Sequence, residues 1–329
     1  MLPVPIALAC GWGSPAPAAA EEQKASVTGA AVGSVERFGR HEDSFAVWNR
    51  MRNNGWAGAD EWALRAHYSL KYTFCGPRLA SDGEVARRKA ETDEVATICT
   101  ERPGWRDVEL FFAYTGEFDF YAGTRRSDPV INRISQPGFF ARVPLSLMFE
   151  GRQPTESLEL GLQHRSDGQT TDTSLGEGRR AANVAYASGD RAFFDTVSRG
   201  ANFASIAWDQ RGPDLPGQTQ TSWRAGLKLY FGAEESAVTW GPLQDQGRRF
   251  ADYDRLTLRA TARTGSLTFD AEWRLGDKGL ATDSWTLGAE WLVGGVPLYL
   301  RVHQGPMNTL SNFTQRQDSI GFGLRFARF

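Results

Sequence analysis

A hydroxyl, an imidazole and a carboxamide stand at spacings that invite a nucleophilic reading: His164 and Ser166 lie two residues apart, and Asn202 follows further on. Residues i and i+2 of an extended strand share a face. Steps of two from Leu158, Leu160 and Leu162 therefore carry His164 and Ser166 on the same side as those leucines. Asn202 heads a second ladder with Ala204 and Ile206, at the same rim and on the same face. A hydroxyl beside an imidazole is a nucleophile with its general base, and a carboxamide can hold that base in one tautomer. Three polar residues closing strand ends would produce the same parity, so both readings stand at this point.

The elements that must position these groups repeat with period two along the chain. Trp62, Leu64, Ala66, Tyr68, Leu70, Tyr72 and Phe74 form one ladder, and similar ladders run through 108–114, 139–147, 158–162, 223–231, 256–262, 267–275, 285–291, 298–302 and 320–326. With shorter strands near 45–50 and 202–209, the expectation is twelve strands. The second face of these ladders is repeatedly charged, as at Glu109, Arg142, Glu159, Arg224, Arg259, Asp270, Glu272, Arg301 and Arg325. In a soluble sandwich such groups face water, whereas in a closed barrel they meet in a lumen and pair. Connectors alternate between short and long, as periplasmic turns alternate with extracellular loops. The reading is an all-β, 12-stranded antiparallel transmembrane barrel of the Gram-negative outer membrane. Counted back from Phe329, the last apolar residues fall on the opposite parity, which requires a bulge or a frayed end.

Composition agrees. With 37 Lys+Arg against 39 Asp+Glu, the net charge of −2 implies no polyanionic partner, so nucleic acid is not expected. No run of 18 apolar residues occurs, which excludes a helical membrane protein. Aromatics at 12% and 35 glycines suit a barrel, whose lipid and lumen faces cancel in any sliding average. Residues 1–20 read as a secretory signal ending in Ala18-Ala19-Ala20, 21–44 as a periplasmic segment, and 45–329 as the barrel. Cys75 and Cys99 flank a charged stretch, and in an exported protein they are expected to close it with a disulfide; two unrelated buried thiols are the other reading. His67 and His303 fall on lumen parity as members of a polar network, while His41 precedes the barrel and carries no pattern.

At the candidate residues the sequence resembles a known family. His164-Arg165-Ser166-Asp167-Gly168 and Ser198-Arg199-Gly200-Ala201-Asn202 resemble the paired motifs H-x-S-x-G and S-R-x-x-N of outer membrane phospholipase A. Ser127-Asp128-Pro129, with Pro137 and Gly138-Phe139-Phe140 downstream, is similar to the loop before that family's fourth strand. The resemblance spans most of residues 45 to 329. It implies a calcium-dependent phospholipase cleaving acyl esters of membrane phospholipids, of A1/A2 type, active as a homodimer. Carried over residue by residue, it implies Ser166 as nucleophile, His164 as base, Asn202 as its orienter and the Gly168 N–H as an oxyanion donor. It also implies calcium ligands at Ser127 (from a second subunit), the Gln169 carbonyl and the Ser198 hydroxyl.

Three positions depart from the family. A segment near 171–197 separates the motifs and is expected as an extracellular insertion, either a lid or a dispensable loop. Asp167 stands where the family carries Asn, and the extra negative charge is expected to raise the base's pKa or to recruit calcium more strongly. Gly116 stands where the family has a polar dimer contact. The runner-up from another class is a catalytically silent barrel, either a narrow pore or a structural scaffold.

Overall fold

A computed structural model describes residues 38–52, 60–76, 108–121, 131–152, 155–167, 184, 185, 188, 199–212, 217–231, 249–310 and 313–326. The expected signal, Gly168, Gln169, Ser198, Ser127, Cys99 and nearly all of the insertion lie outside these residues.

The described chain is a closed antiparallel barrel. Its strands are β1 (Phe38–Gly39), β2 (Ser44–Arg52), β3 (Glu61–Cys75), β4 (Glu109–Tyr121), β5 (Ile131–Pro144), β6 (Glu156–Asp167), β7 (Arg199–Arg211), β8 (Gln220–Phe231), β9 (Leu256–Thr264), β10 (Leu267–Gly276), β11 (Gly279–Val293), β12 (Val296–Gly305) and β13 (Gln317–Phe326). From β2 to β13 each strand pairs with the next, and β13 returns to β2. Closure leaves no edge, so every strand can lie in lipid with its backbone groups bonded to neighbours. β1 and β2 pair with the same side of β3, Phe38 opposite Tyr72 and Phe45 opposite His67, so they act as one interrupted strand and the barrel has twelve.

The interruption is a finding of its own. Residues 40–43 bulge out of the ladder, and they carry His41 to Glu159 at 3.4 Å and to the ring of Phe140 at 4.5 Å. His41 thus belongs to the lumen, contrary to its reading as a residue ahead of the barrel. A single bulge has no period, so no alternation announces it. A second difference occurs at the end of β5, where the ladder expected to run through Leu147 stops at Pro144. Leu145–Leu147 form a 3-10 turn instead, because proline lacks the N–H a further pairing needs.

The two faces of the wall divide as the alternation requires. Outward residues such as Leu162, Phe139 and Phe322 are exposed, while their neighbours turn into a lumen of opposed charges. Arg65, fully buried, donates from Nε and Nη2 to both carboxylate oxygens of Asp119 at 2.7 Å, and from Nη1 to Asn308 Oδ1 at 2.7 Å. Glu159 accepts from Arg142 at 2.5 Å and from Arg224 at 2.5 Å. Arg325 binds Asp43 and Asp270, and Arg259 binds Glu272. His67 stacks on Phe45 and its Nδ1 lies 2.7 Å from the Asp43 carbonyl, while His303 meets Thr286 Oγ1 at 2.9 Å. Both are network members, as their parity suggests. A cavity of about 130 Å³ remains among these groups.

The strand ends joined from β7 to β8, from β9 to β10 and from β11 to β12 lie at one end, which outer-membrane convention makes periplasmic. The long connection 76–108 also starts there, and Cys75 at its head is disulfide-bonded. At the opposite, extracellular end the mouth is filled from within. Phe250, Tyr253, Met307, Leu310 and Phe313, from the segments before β9 and between β12 and β13, pack against Ile134 and Ala201 of the wall.

Removing one partner of a buried ion pair strands the other charge. Asp119→Ala is therefore expected to destabilise the barrel by about 3–5 kcal/mol, measured by denaturant unfolding of protein refolded in detergent. A loss below about 1 kcal/mol would show that Arg65 finds water or another acceptor, since that is the scale of an exposed pair.

Candidate active site

β6 and β7 pair in the register that puts His164 opposite Asn202 and Ser166 opposite Gly200. Directly paired residues of antiparallel strands share a face, so all four stand on the wall that carries Leu160 and Leu162, whose side chains are exposed. The two-residue steps that suggested the grouping survive intact, because β6 runs unbroken from Glu156 to Asp167.

The central contact is between base and carboxamide: His164 Nδ1 lies 2.9 Å from Asn202 Oδ1. The amide oxygen only accepts, so Nδ1 carries the proton and donates it. In the neutral imidazole Nε2 then keeps its lone pair, which is the state a general base requires. The imidazole also leans towards the serine. A Cβ placed on Gly200 would stand 3.2 Å from Ser166 Cβ and 3.4 Å from His164 Cε1. The missing side chain at Gly200 leaves open the space that base and nucleophile border. Asn202, His164 and Ser166 are each partly exposed on this outer face.

The wall is braced from behind. Arg165, between base and nucleophile in sequence, points into the lumen and sits 3.7 Å from Asp254, which Lys228 Nζ holds at 2.6 Å. Ala201, next to Asn202, is buried in the apolar cluster of the mouth. Asp167 is buried on the lumen side, since it pairs with Ile134, a member of the same cluster. Its carboxylate is thus on the other side of the wall from the Ser166 side chain, as parity requires. Gly116, where the family's dimer contact was expected, is overhung by Tyr68, whose hydroxyl lies 2.4 Å from the position a Cβ would occupy.

Two further residues share the outer face and escaped the sequence reading. Ser135 pairs directly with Ser166, and Arg133 precedes it by one two-residue step. Counting back from Phe139 through Pro137 would have found them both. The proposed oxyanion donor Gly168 and the proposed calcium positions Gln169, Ser198 and Ser127 fall outside the described residues. Among the described residues, no cluster of three or more His, Cys, Asp or Glu side chains is placed to hold a metal.

Comparison of the whole fold comes out on one side. The outer membrane phospholipase of Salmonella typhi, solved as a dimer with bound calcium, superposes with a TM-score of 0.56 at 13% identity, covering 88% of this chain and 91% of that one. Outer membrane phospholipase A from Escherichia coli gives 0.57 at 12% identity, covering 89% and 99%. The chain has the fold of outer membrane phospholipase A. That fold places it in the Gram-negative outer membrane. No protein-family model matches the sequence, and no curated protein matches it either.

The gap above Gly200 yields a sharp expectation. Gly200→Ala adds only a methyl group to an outward surface, so the barrel should keep its stability. That methyl would press on both His164 and Ser166 and is expected to lower esterase turnover roughly 10-fold or more, a displacement effect on a positioned pair. Unchanged turnover in the folded variant would mean the space is not part of the reaction geometry.

Proposed function

We propose that the protein is an outer-membrane phospholipase that hydrolyses acyl ester bonds of phospholipids with Ser166 as nucleophile, His164 as general base and Asn202 as the base's orienter. The observation that carries this reading is the Nδ1-to-Asn202 contact of 2.9 Å on the lipid-facing wall, two residues from a serine. The fold shared with outer membrane phospholipase A supports it.

In this mechanism the Ser166 hydroxyl attacks the ester carbonyl while His164 Nε2 takes its proton. The tetrahedral intermediate collapses as His164 returns that proton to the departing glycerol oxygen, leaving an acyl-serine. Water, deprotonated by the same imidazole, then releases the fatty acid and restores the serine. Asn202 keeps Nδ1 protonated throughout. Because it is neutral, the charge developing on the oxyanion needs stabilisation from elsewhere.

Calcium would be held by the hydroxyls of Ser198 and Ser127 and the carbonyl of Gln169, oxygen donors that suit a hard cation. The register supports this set, since Asp167 pairs with Arg199, and in sequence Ser198 is one residue and Gln169 two residues beyond that pair. Bound there, the ion would supply positive charge to stabilise the oxyanion, with the Gly168 N–H as a hydrogen-bond donor. With Ser127 coming from a second subunit, the active form is a homodimer, and calcium with a substrate analogue should promote dimerisation by linkage.

A pore or scaffold is the competing reading. The ion-paired lumen and the apolar packing at its mouth, built from described residues, favour the enzyme over an open channel.

The decisive test is ester release from detergent-dispersed phospholipid by refolded protein, with calcium and with chelator. Wild type should be active and calcium-dependent, and Ser166→Ala should lose activity by at least about 10³-fold, as loss of a covalent nucleophile does, while remaining folded. A sulfonyl fluoride should label Ser166. Near-native hydrolysis by Ser166→Ala, or labelling at another residue, would sink the assignment.

A further inference from the structure

One carboxylate spans the lumen side of the strand that carries Asn202. That strand, β7, lies between β6 and β8 in the wall. Asp254, between the 3-10 turn Phe250–Asp252 and β9, is fully buried and reaches both neighbours. Its Oδ2 accepts from Lys228 Nζ of β8 at 2.6 Å and from the Tyr230 hydroxyl of the same strand at 3.4 Å. Arg165 Nη1 of β6 approaches the same oxygen to 3.7 Å. Phe203 of β7 is fully buried, with its ring 5.4 Å from Lys228 Nζ and 5.3 Å from the ring of Tyr230. Ala201 belongs to the cluster against which Tyr230 packs. Both sequence neighbours of Asn202 are therefore held on the lumen side.

The segment that carries Asp254 is itself fixed to the strands beyond. The Asp254 N–H donates to the Phe250 carbonyl at 2.9 Å, and the Asp277 N–H donates to the Ala251 carbonyl at 2.8 Å. Thr282 Oγ1 of β11 donates to the Asp252 carbonyl at 2.6 Å. Arg255, next in sequence, binds both carboxylate oxygens of Asp277 at 2.8 Å through Nε and Nη2. Glycine at 276 permits the close approach, since a Cβ there would run into the Asp252 carbonyl. Asp254 is thus anchored through β10 and β11 while it holds β6 and β8.

Without that carboxylate, Lys228 and Arg165 would face each other across β7 as two cations with their shared acceptor gone, and buried like charges drive each other apart. Arg165 has His164 and Ser166 as its immediate neighbours, so a shift of its side chain turns the stretch that carries base and nucleophile. Lys228 and Tyr230 cover Phe203, so their shift moves the strand of Asn202. Misplacing a reacting group by an ångström costs on the order of 100-fold in rate. We propose that Asp254 is a positioning residue of the enzyme: from the lumen it holds β6 and β8 around β7 and keeps His164 and Ser166 aligned with Asn202 on the outer face. This rests on the reading of Ser166 as nucleophile.

The test measures kcat and KM separately for phospholipid hydrolysis by refolded Asp254→Asn, Arg165→Met and, for comparison, Asp270→Asn, which removes one of the two carboxylates on Arg325 nearer the periplasmic end of the lumen. Denaturant unfolding in detergent reports that each variant is folded. Asp254→Asn is expected to lower kcat roughly 10- to 100-fold with KM within about 2-fold of wild type, because a lumen side chain aligns the reacting groups without touching substrate. Arg165→Met leaves Asp254 its Lys228 partner, should lower kcat with KM likewise unchanged, and carries the test if Asp254→Asn does not fold. Asp270→Asn should keep kcat within about 3-fold of wild type. Folded Asp254→Asn or Arg165→Met with kcat inside that same range overturns the positioning role, while the nucleophile assignment stands. An equal fall of kcat in Asp270→Asn means general loosening of the barrel and overturns it too. Wild type that cleaves no phospholipid overturns both.

Discussion

Everything in this barrel depends on a wall one residue thick. Lipid offers no partner for a backbone N–H or C=O, so the strands must bond each other in a closed ring, and here β13 completes it by pairing with β2. In such a ring consecutive side chains go to opposite solvents. The consequence is plainest at 164–166: His164 and Ser166 face the bilayer, while Arg165 between them reaches Asp254 in the lumen. Chemistry and support are thus built from alternate residues of one strand, and a change at one position acts on the other face only through the backbone they share.

That division explains why the interior carries so much charge. Side chains sent inward cannot reach bulk water freely, so an unpaired ion there is expensive. Arg65 with Asp119, Glu159 with two arginines and Arg325 with two aspartates are answers to that cost. The pairs also cross strands distant in sequence and tie the segments of the mouth to the wall, as Asn308 does between Arg65 and Gln317. Packing then continues outward through Phe313 and Phe250 to Ala201, immediately behind Asn202. The candidate site stands on a surface fixed from inside.

How much of this was legible beforehand follows from the same alternation. Wherever the pattern ran unbroken, as from Leu158 to Ser166, it gave strand, face and rim together. It also gave the shared face of His164 and Asn202, because the register of two long strands admits little choice. Legibility ended where the period broke. The inward bulge of 40–43 hid the place of His41, and the stop at Pro144 cut short an apolar ladder that seemed to continue. Asn132 of β5, left-handed with a φ of 52°, belongs with these, since it is held by Asp119, Glu117 and the Leu310 N–H, partners no local pattern names. Asp167 shows what counting adds to family position: it follows Ser166 in sequence, yet parity sends it through the wall to pair with Ile134.

A neutral orienter suits a base on this face. A carboxylate in the place of Asn202 would stabilise the imidazolium better, yet it would hold a permanent charge on a lipid-facing surface in every resting cycle. The carboxamide fixes the tautomer at far smaller cost, since its oxygen is satisfied by His164. The electrostatic help it cannot give must then arrive with what the site binds. On the proposed reading that help comes from calcium, a hard cation held by oxygen donors beside the reacting ester. On that reading base and orienter place no fixed charge on the wall, and the positive charge the chemistry needs is present only when the site is occupied.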